Sequence, residues 1–205
     1  MQKRMFGTFE VVFDAAYLAA VFLIAVYYLF LSSATYALPF GLMTLVLGCG
    51  DAFHLVPRIL SVLRNDSVRY QTELERGKIL TSITMTIFYV ILWHIGLAAS
   101  GYPDAGVCTA MVYLLAAVRI LLCLMKPVSS IVRNVPFLFL GAAVCVLFYS
   151  IRSGSGFPLM WFAVLLSFVF YVPVVCFSAG HPKVGMLMLP KSCVYLWMLT
   201  MGFSV

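Results

Sequence analysis

Seven apolar runs of membrane-spanning length leave this chain almost no way to fold in water. They cover about 10–33, 38–63, 78–100, 106–126, 133–152, 157–179 and 185–204, each near the roughly 20 residues that a helix needs to cross a bilayer. Hydrocarbon offers no partners to a backbone N–H or C=O, so each crossing segment must satisfy its own, as a helix does. Of the 205 residues, 64% are hydrophobic and 10% charged, too little polar surface to cover a soluble domain of this size. The expected fold is therefore all-α: one polytopic transmembrane domain over residues 1–205, a bundle of seven helices. Lys3 and Arg4 ahead of an apolar run resemble the start of a signal peptide. The run from Val11 to Leu31 is of spanning length and contains Asp14, so it reads as a retained first helix.

Turn chemistry separates the runs: Ser32-Ser33, Gly101-Tyr102-Pro103-Asp104, Ser153-Gly154-Ser155-Gly156 and Gly180-His181-Pro182. The longest connection, about Arg64 to Lys78, is the one markedly hydrophilic stretch. Alternate connections divide the basic residues unequally. Lys3, Arg4, Arg64, Arg69, Arg76, Lys78, Lys126, Arg133 and Lys183 share one side, and Arg152 lies on the other. The positive-inside rule then predicts a cytoplasmic N-terminus and an external C-terminus, in a multi-pass protein of a bacterial-type plasma membrane. A net charge of +6 dispersed in this way is an orientation signal, and nucleic acid is excluded as a partner. The six cysteines fall within apolar segments without CxxC spacing and read as small buried hydrophobes.

Against this background the ionisable residues inside the runs stand out, because charge in hydrocarbon is costly and usually faces a bundle interior or a wet cavity. Asp51, His54 and Arg58 are spaced i, i+3, i+7 and share one helix face. Gly48 and Gly50 beside them permit close helix approach, and Pro57 frees the Phe53 carbonyl one turn back. Asp14, Arg119 and Lys191 complete the set. The topology places Asp51 near the midplane and the others in the inner half, so their convergence predicts a basic, cytoplasm-facing pocket with two carboxylates. Each has a plainer reading. Asp51 can bridge helices, His54 can donate to a carbonyl, and Arg58 or Lys191 can snorkel. Glu10 reads as solvated, Tyr89, Trp93 and Tyr195 as packing or interfacial residues, and Thr81, Ser82, Thr84 and Thr86 as interhelical hydrogen-bonding groups. No metal site is expected. His54, His94 and His181 fall at different depths, and neither HxxxH nor HExxH occurs. No motif names a cofactor.

The run Gly50-Asp51-Ala52-Phe53-His54-Leu55-Val56-Pro57-Arg58 resembles a motif of the lysoplasmalogenase-like family of small polytopic membrane proteins, in which a Gly-Asp pair in a middle helix precedes an apolar stretch and a proline. The family's eight helices, His-x-x-Tyr pattern and late second aspartate have no counterpart here, so the resemblance carries over one residue, Asp51. It implies a lipid-active hydrolase. A lysophospholipid's vinyl-ether or ester bond would be cleaved with Asp51 as general acid or base, His54 orienting water and Asp14 as the second carboxylate. Arg58, Arg119 and Lys191 would hold the anionic headgroup. The expected partners are membrane lipids, an anionic headgroup or a small anionic substrate. Two other readings stay open: a carrier of a small anionic solute, proton-coupled through Asp51 and His54 with Pro57 as hinge, and a non-catalytic receptor or assembly factor whose charges fix helix register.

Overall fold

The computed structural model describes residues 2–64, 66, 68–101, 106–125, 128–154, 156–178 and 180–205, excepting the side chains of 2–6, 182, 183 and 204. Lys126, the Tyr102–Asp104 and Ser155 turn residues, and the side chains of Lys3, Arg4 and Lys183 therefore lie outside the described residues. Seven helices form among them: α1 (Gln2–Val26, continued by a π-helical turn Tyr27–Leu31), α2 (Ala37–Leu63), α3 (Gln71–Ser100), α4 (Gly106–Leu124), α5 (Ser130–Ser150), α6 (Met160–Phe177) and α7 (Met188–Thr200). A 3₁₀ segment, Pro182–Leu187, leads into α7, and all seven have the length and hydropathy to cross a membrane. The fold is thus the expected all-helical, multi-pass bundle.

One boundary differs from expectation. The third helix starts at Gln71, about two turns before the apolar run, so much of the predicted hydrophilic loop is helical. Its first turns, Gln-Thr-Glu-Leu-Glu-Arg, hold straight-chain residues that are good helix formers, so helix continues into the polar region without hydrophobic periodicity to announce it. The extension ends at Gly77, which packs directly on the Phe53 carbonyl and the His54 Cα of α2, leaving no room for a Cβ. Pro57 lies inside α2, which runs on through it. The carbonyl freed by the proline is thus covered by the closest approach of α3.

Consecutive helices pack side by side, α7 returns to α1, and α3 also touches α5, so the seven close into a ring. Aromatic side chains fill its axis. At the end where α1 finishes and α2 begins, Tyr28, Phe40, Phe148 and Phe157 are all buried, with ring centroids 5.5 Å apart for Tyr28–Phe40, 5.7 Å for Phe40–Phe157 and 6.0 Å for Phe148–Phe157. The Tyr28 hydroxyl donates to the Leu199 carbonyl at 2.7 Å, tying α1 to the end of α7. A second layer, at mid-depth, contains Phe88, Tyr89, Phe137, Phe168 and Tyr195, with Tyr89 and Ser167 hydroxyls 2.9 Å apart. Tyr89 and Tyr195 are packing residues, as the sequence suggested. The opposite end of the ring, where α2 finishes and α3 begins, is not filled.

Candidate anion-binding cavity

At that unfilled end a cavity of about 250 Å³ opens between six helices. His54 enters from α2, Lys78, Thr81 and Ser82 from α3, Arg119 from α4, Arg133 and Asn134 from α5, Tyr171 from α6 and Lys191 from α7. Four of these are permanent or near-permanent cations, and no aspartate or glutamate lines the space among the described residues. Helix geometry explains why they meet. The ring brings the starts of α3, α5 and α7 to the same end as the finishes of α2, α4 and α6, and each helix contributes polar side chains from its last or first turns.

Arg119 is the deepest of them, 1% exposed. Its guanidinium carbon lies 3.4 Å from the centroid of the Phe137 ring, and Nη2 donates to Asn134 Oδ1 at 3.3 Å. The same amide oxygen accepts the Tyr171 hydroxyl at 2.7 Å, while Asn134 Nδ2 donates to the Ser130 carbonyl at 2.8 Å. Asn134 thus accepts two hydrogen bonds on Oδ1 and holds Arg119 and Tyr171 in place. Lys191, 9% exposed, points its ammonium at two rings, 4.4 Å from the Tyr171 centroid and 5.1 Å from that of Tyr195. Aromatic faces offset part of the cost of burying these charges, about 2 kcal/mol in a desolvated site, but they do not neutralise them. Among the described residues neither cation has a carboxylate within ion-pair distance.

Unmet hydrogen-bonding capacity concentrates on this cavity. Five buried side-chain polar atoms have no hydrogen-bond partner among the described residues: Arg119 Nε and Nη1, Arg133 Nε, His54 Nδ1 and Asp14 Oδ2. Four of the five belong to cavity-lining residues, three of them to arginines. Buried donors are ordinarily satisfied, and an unsatisfied one costs about 1–3 kcal/mol, more when charged. A cavity lined by four cations and by no aspartate or glutamate among the described residues has the chemistry to hold an anion.

The remaining sequence candidates lie elsewhere. On the far side of α2 is a seam with α1, where Glu10, Asp14 and Tyr17 recur at i, i+4, i+7. Arg58 pairs there with Glu10 and lies 4.0 Å from Asp14 Oδ2, so it turns away from the cavity, and Glu10 is 18% exposed and paired where the sequence suggested solvation. Asp51 accepts the Tyr17 hydroxyl on Oδ2 at 2.7 Å and does not line the cavity. Asp14, 4% exposed, is close enough to Asp51 to act on it electrostatically. Of the six candidates, His54, Arg119 and Lys191 are brought together in the cavity and Asp14, Asp51 and Arg58 in the seam.

Lys78, Arg133, Asn134 and Tyr171 are cavity residues that sequence reasoning passed over. In the sequence, Lys78 and Arg133 are indistinguishable from orientation charges. The Arg133-Asn134 pair one turn after the Ser129 N-cap was the available clue, since a polar pair inside a spanning helix needs a partner. The threonine run of α3 behaves differently from expectation: Thr81 bonds across to the Gly50 carbonyl at 2.8 Å, whereas Ser82, Thr84 and Thr86 donate back to carbonyls of their own helix. The histidines stay apart. His94 is exposed on α3, with Nδ1 at the Val90 carbonyl and Nε2 2.9 Å from the Tyr113 hydroxyl. No protein-family model matches the chain, and neither does any curated protein or solved structure.

Proposed function

We propose that this protein is a membrane carrier for a small phosphate- or carboxylate-bearing solute, which binds in the cation-lined cavity. The observation that carries the reading is the gathering of Lys78, Arg119, Arg133 and Lys191 around one cavity that no aspartate or glutamate lines among the described residues. Its size supports a small solute. At about 250 Å³ it lies below the roughly 300–1,000 Å³ typical of drug-sized ligand sites. Its position supports transport: the cavity is blind, with aromatic layers closing the ring beyond it, as in one state of an alternating-access cycle. Arg64, Arg69, Arg76, Lys78 and Arg133 fall at the cavity end and Arg152 at the other, so the positive-inside rule turns the cavity and N-terminus to the cytoplasm and the C-terminus outward, in a bacterial-type plasma membrane.

A lysophospholipid hydrolase is the second reading, favoured by two carboxylates inside the spanning helices, Asp14 buried and Asp51 half-buried. It ranks second because neither carboxylate lines the cavity and Asp51 is engaged by Tyr17. The test combines binding with transport. Inorganic phosphate and glycerol 3-phosphate are added to purified protein, and their uptake into proteoliposomes is followed. Ligand at a hundred times its Kd stabilises by about 2.7 kcal/mol, readily seen as a rise in melting temperature. Stabilisation together with uptake is the expected result. No stabilisation by either anion overturns the reading, and turnover of a lysophospholipid that is lost in Asp51→Asn replaces it with the hydrolase.

A further inference from the structure

A second concavity lies on the outer side of the α2–α3 pair. It measures about 500 Å³ and is walled by Phe53 and Pro57 of α2 and by Leu80 and Ile83 of α3. Gly77, buried where the two helices touch, adds no side chain to fill it. At 100° per residue, Arg76, Leu80 and Ile83 fall within about 60° of one another on α3, and Lys78, Ser82 and Met85, which line the cation cavity, lie on the opposite face. The groove therefore opens away from the ring, toward surrounding lipid, and Phe53 on its wall is 60% exposed. Its lining is apolar except at one end, where Glu73 and Arg76 stand one turn apart. Both are exposed, and neither takes part in an ion pair among the described residues.

We propose that this groove binds one membrane phospholipid whose headgroup joins a phosphate to a primary ammonium, as in phosphatidylethanolamine. The length of the groove fits a lipid chain. From Glu73 to Ile83, α3 rises about 15 Å, half of the roughly 30 Å hydrocarbon core, so the groove follows the depth of one leaflet. An acyl chain lies along Leu80, Ile83 and Phe53, in the space that Gly77 leaves open. The charged end fits the headgroup. Arg76 donates to the phosphodiester oxygens, and the Glu73 carboxylate, an acceptor only, takes hydrogen bonds from the ammonium. A glycerol headgroup offers no cation to Glu73, and a choline headgroup has no N–H to donate to it. Opposite charges one turn apart and not paired with each other thus match a zwitterion, where a site for a purely anionic lipid needs cations alone.

The test supplies the full-length protein, purified in detergent, with equal amounts of dioleoyl phosphatidylethanolamine, phosphatidylcholine and phosphatidylglycerol. The lipid it retains is counted by native mass spectrometry. One phosphatidylethanolamine per chain is expected, held about threefold better than either competitor, the scale of an exposed charge contact. Arg76→Gln lowers retention of phosphatidylethanolamine and phosphatidylglycerol alike, by about threefold. Glu73→Gln erases the preference between those two lipids. Ile83→Trp fills the groove and removes the retained lipid whatever its headgroup. Because Glu73 and Arg76 are exposed, their variants leave the packing intact and decide the matter even if I83W folds poorly. Equal retention of the three lipids by the wild type, or a preference that survives in both E73Q and R76Q, overturns the headgroup assignment. Retention unchanged in I83W overturns the groove as the site, and a dimer that I83W disrupts gives the groove to a second copy of the chain.

Discussion

On one face of α2, in the seam with α1, Glu10, Asp14 and Arg58 meet one another, and Asp51 meets Tyr17. On the other face, in the cavity, Lys78, Arg119, Arg133 and Lys191 meet no carboxylate among the described residues, and three arginine nitrogens have no hydrogen-bond partner among them. Both regions lie toward the same end of the bundle, and both place charge where water is scarce. The seam pairs Arg58 with Glu10 and Asp14 and so contributes to holding α1 on α2. The cavity gathers cations without a carboxylate among the described residues, an arrangement that adds cost in the absence of an anion. Conserving charge for stability and keeping it for binding thus produce opposite patterns of pairing.

Substitutions that remove one cation from each region separate the two. Arg119→Met retains an unbranched apolar side chain over Phe137 and removes the deepest unpaired charge. Affinity for inorganic phosphate falls about a hundredfold, equivalent to about 2.7 kcal/mol, while the melting temperature of the ligand-free protein holds or rises, because an uncompensated buried charge has gone. A large loss of ligand-free stability in Arg119→Met would assign the arginine to the scaffold and collapse the contrast. Arg58→Met does the reverse. It strands Glu10 and Asp14, and because Arg58 keeps 28% exposure the cost is about 2 kcal/mol of stability, short of the 3–5 kcal/mol for a fully buried pair. Phosphate affinity changes less than threefold. A hundredfold loss of affinity there would put Arg58 back in the binding site.

The sequence disclosed the spans well and the partition between seam and cavity poorly. Apolar length is a local property, and hydrocarbon enforces it, so all seven helices could be read from runs of residues; the start of α3 could not, because Gln71–Lys78 is helical without being apolar. Asp51, His54 and Arg58 share a face only approximately. At 100° per residue, His54 is rotated about 60° from Asp51 and Arg58 only about 20°, enough for the first to face the cavity while the other two face α1. Whether that offset matters depends on where α1, α3 and α7 stand around α2. That is a tertiary fact no local pattern carries. The same limit hid Lys78 and Arg133, whose positions near helix ends are equally those of orientation charges.

The wall dividing the two regions is α2, and its position depends on Gly77. A Cβ there would strike the Phe53 carbonyl and the His54 Cα, both backbone, so neither can rotate aside and α3 must move away from α2. Overpacking of this kind costs about 1–3 kcal/mol, against a gain of up to about 1 kcal/mol for replacing glycine by alanine within a helix. Gly77→Ala therefore lowers stability by a net amount of about 1 kcal/mol. Gly106→Ala at the start of α4, where a Cβ meets nothing within 4 Å, serves as the control and leaves stability unchanged or slightly raised. The displacement carries His54 with it, so phosphate affinity in Gly77→Ala drops severalfold, while the Arg58 pairing on the opposite face persists. If affinity were untouched and stability alone fell, the cavity would not depend on α2, and its binding groups would reduce to those on α3 through α7.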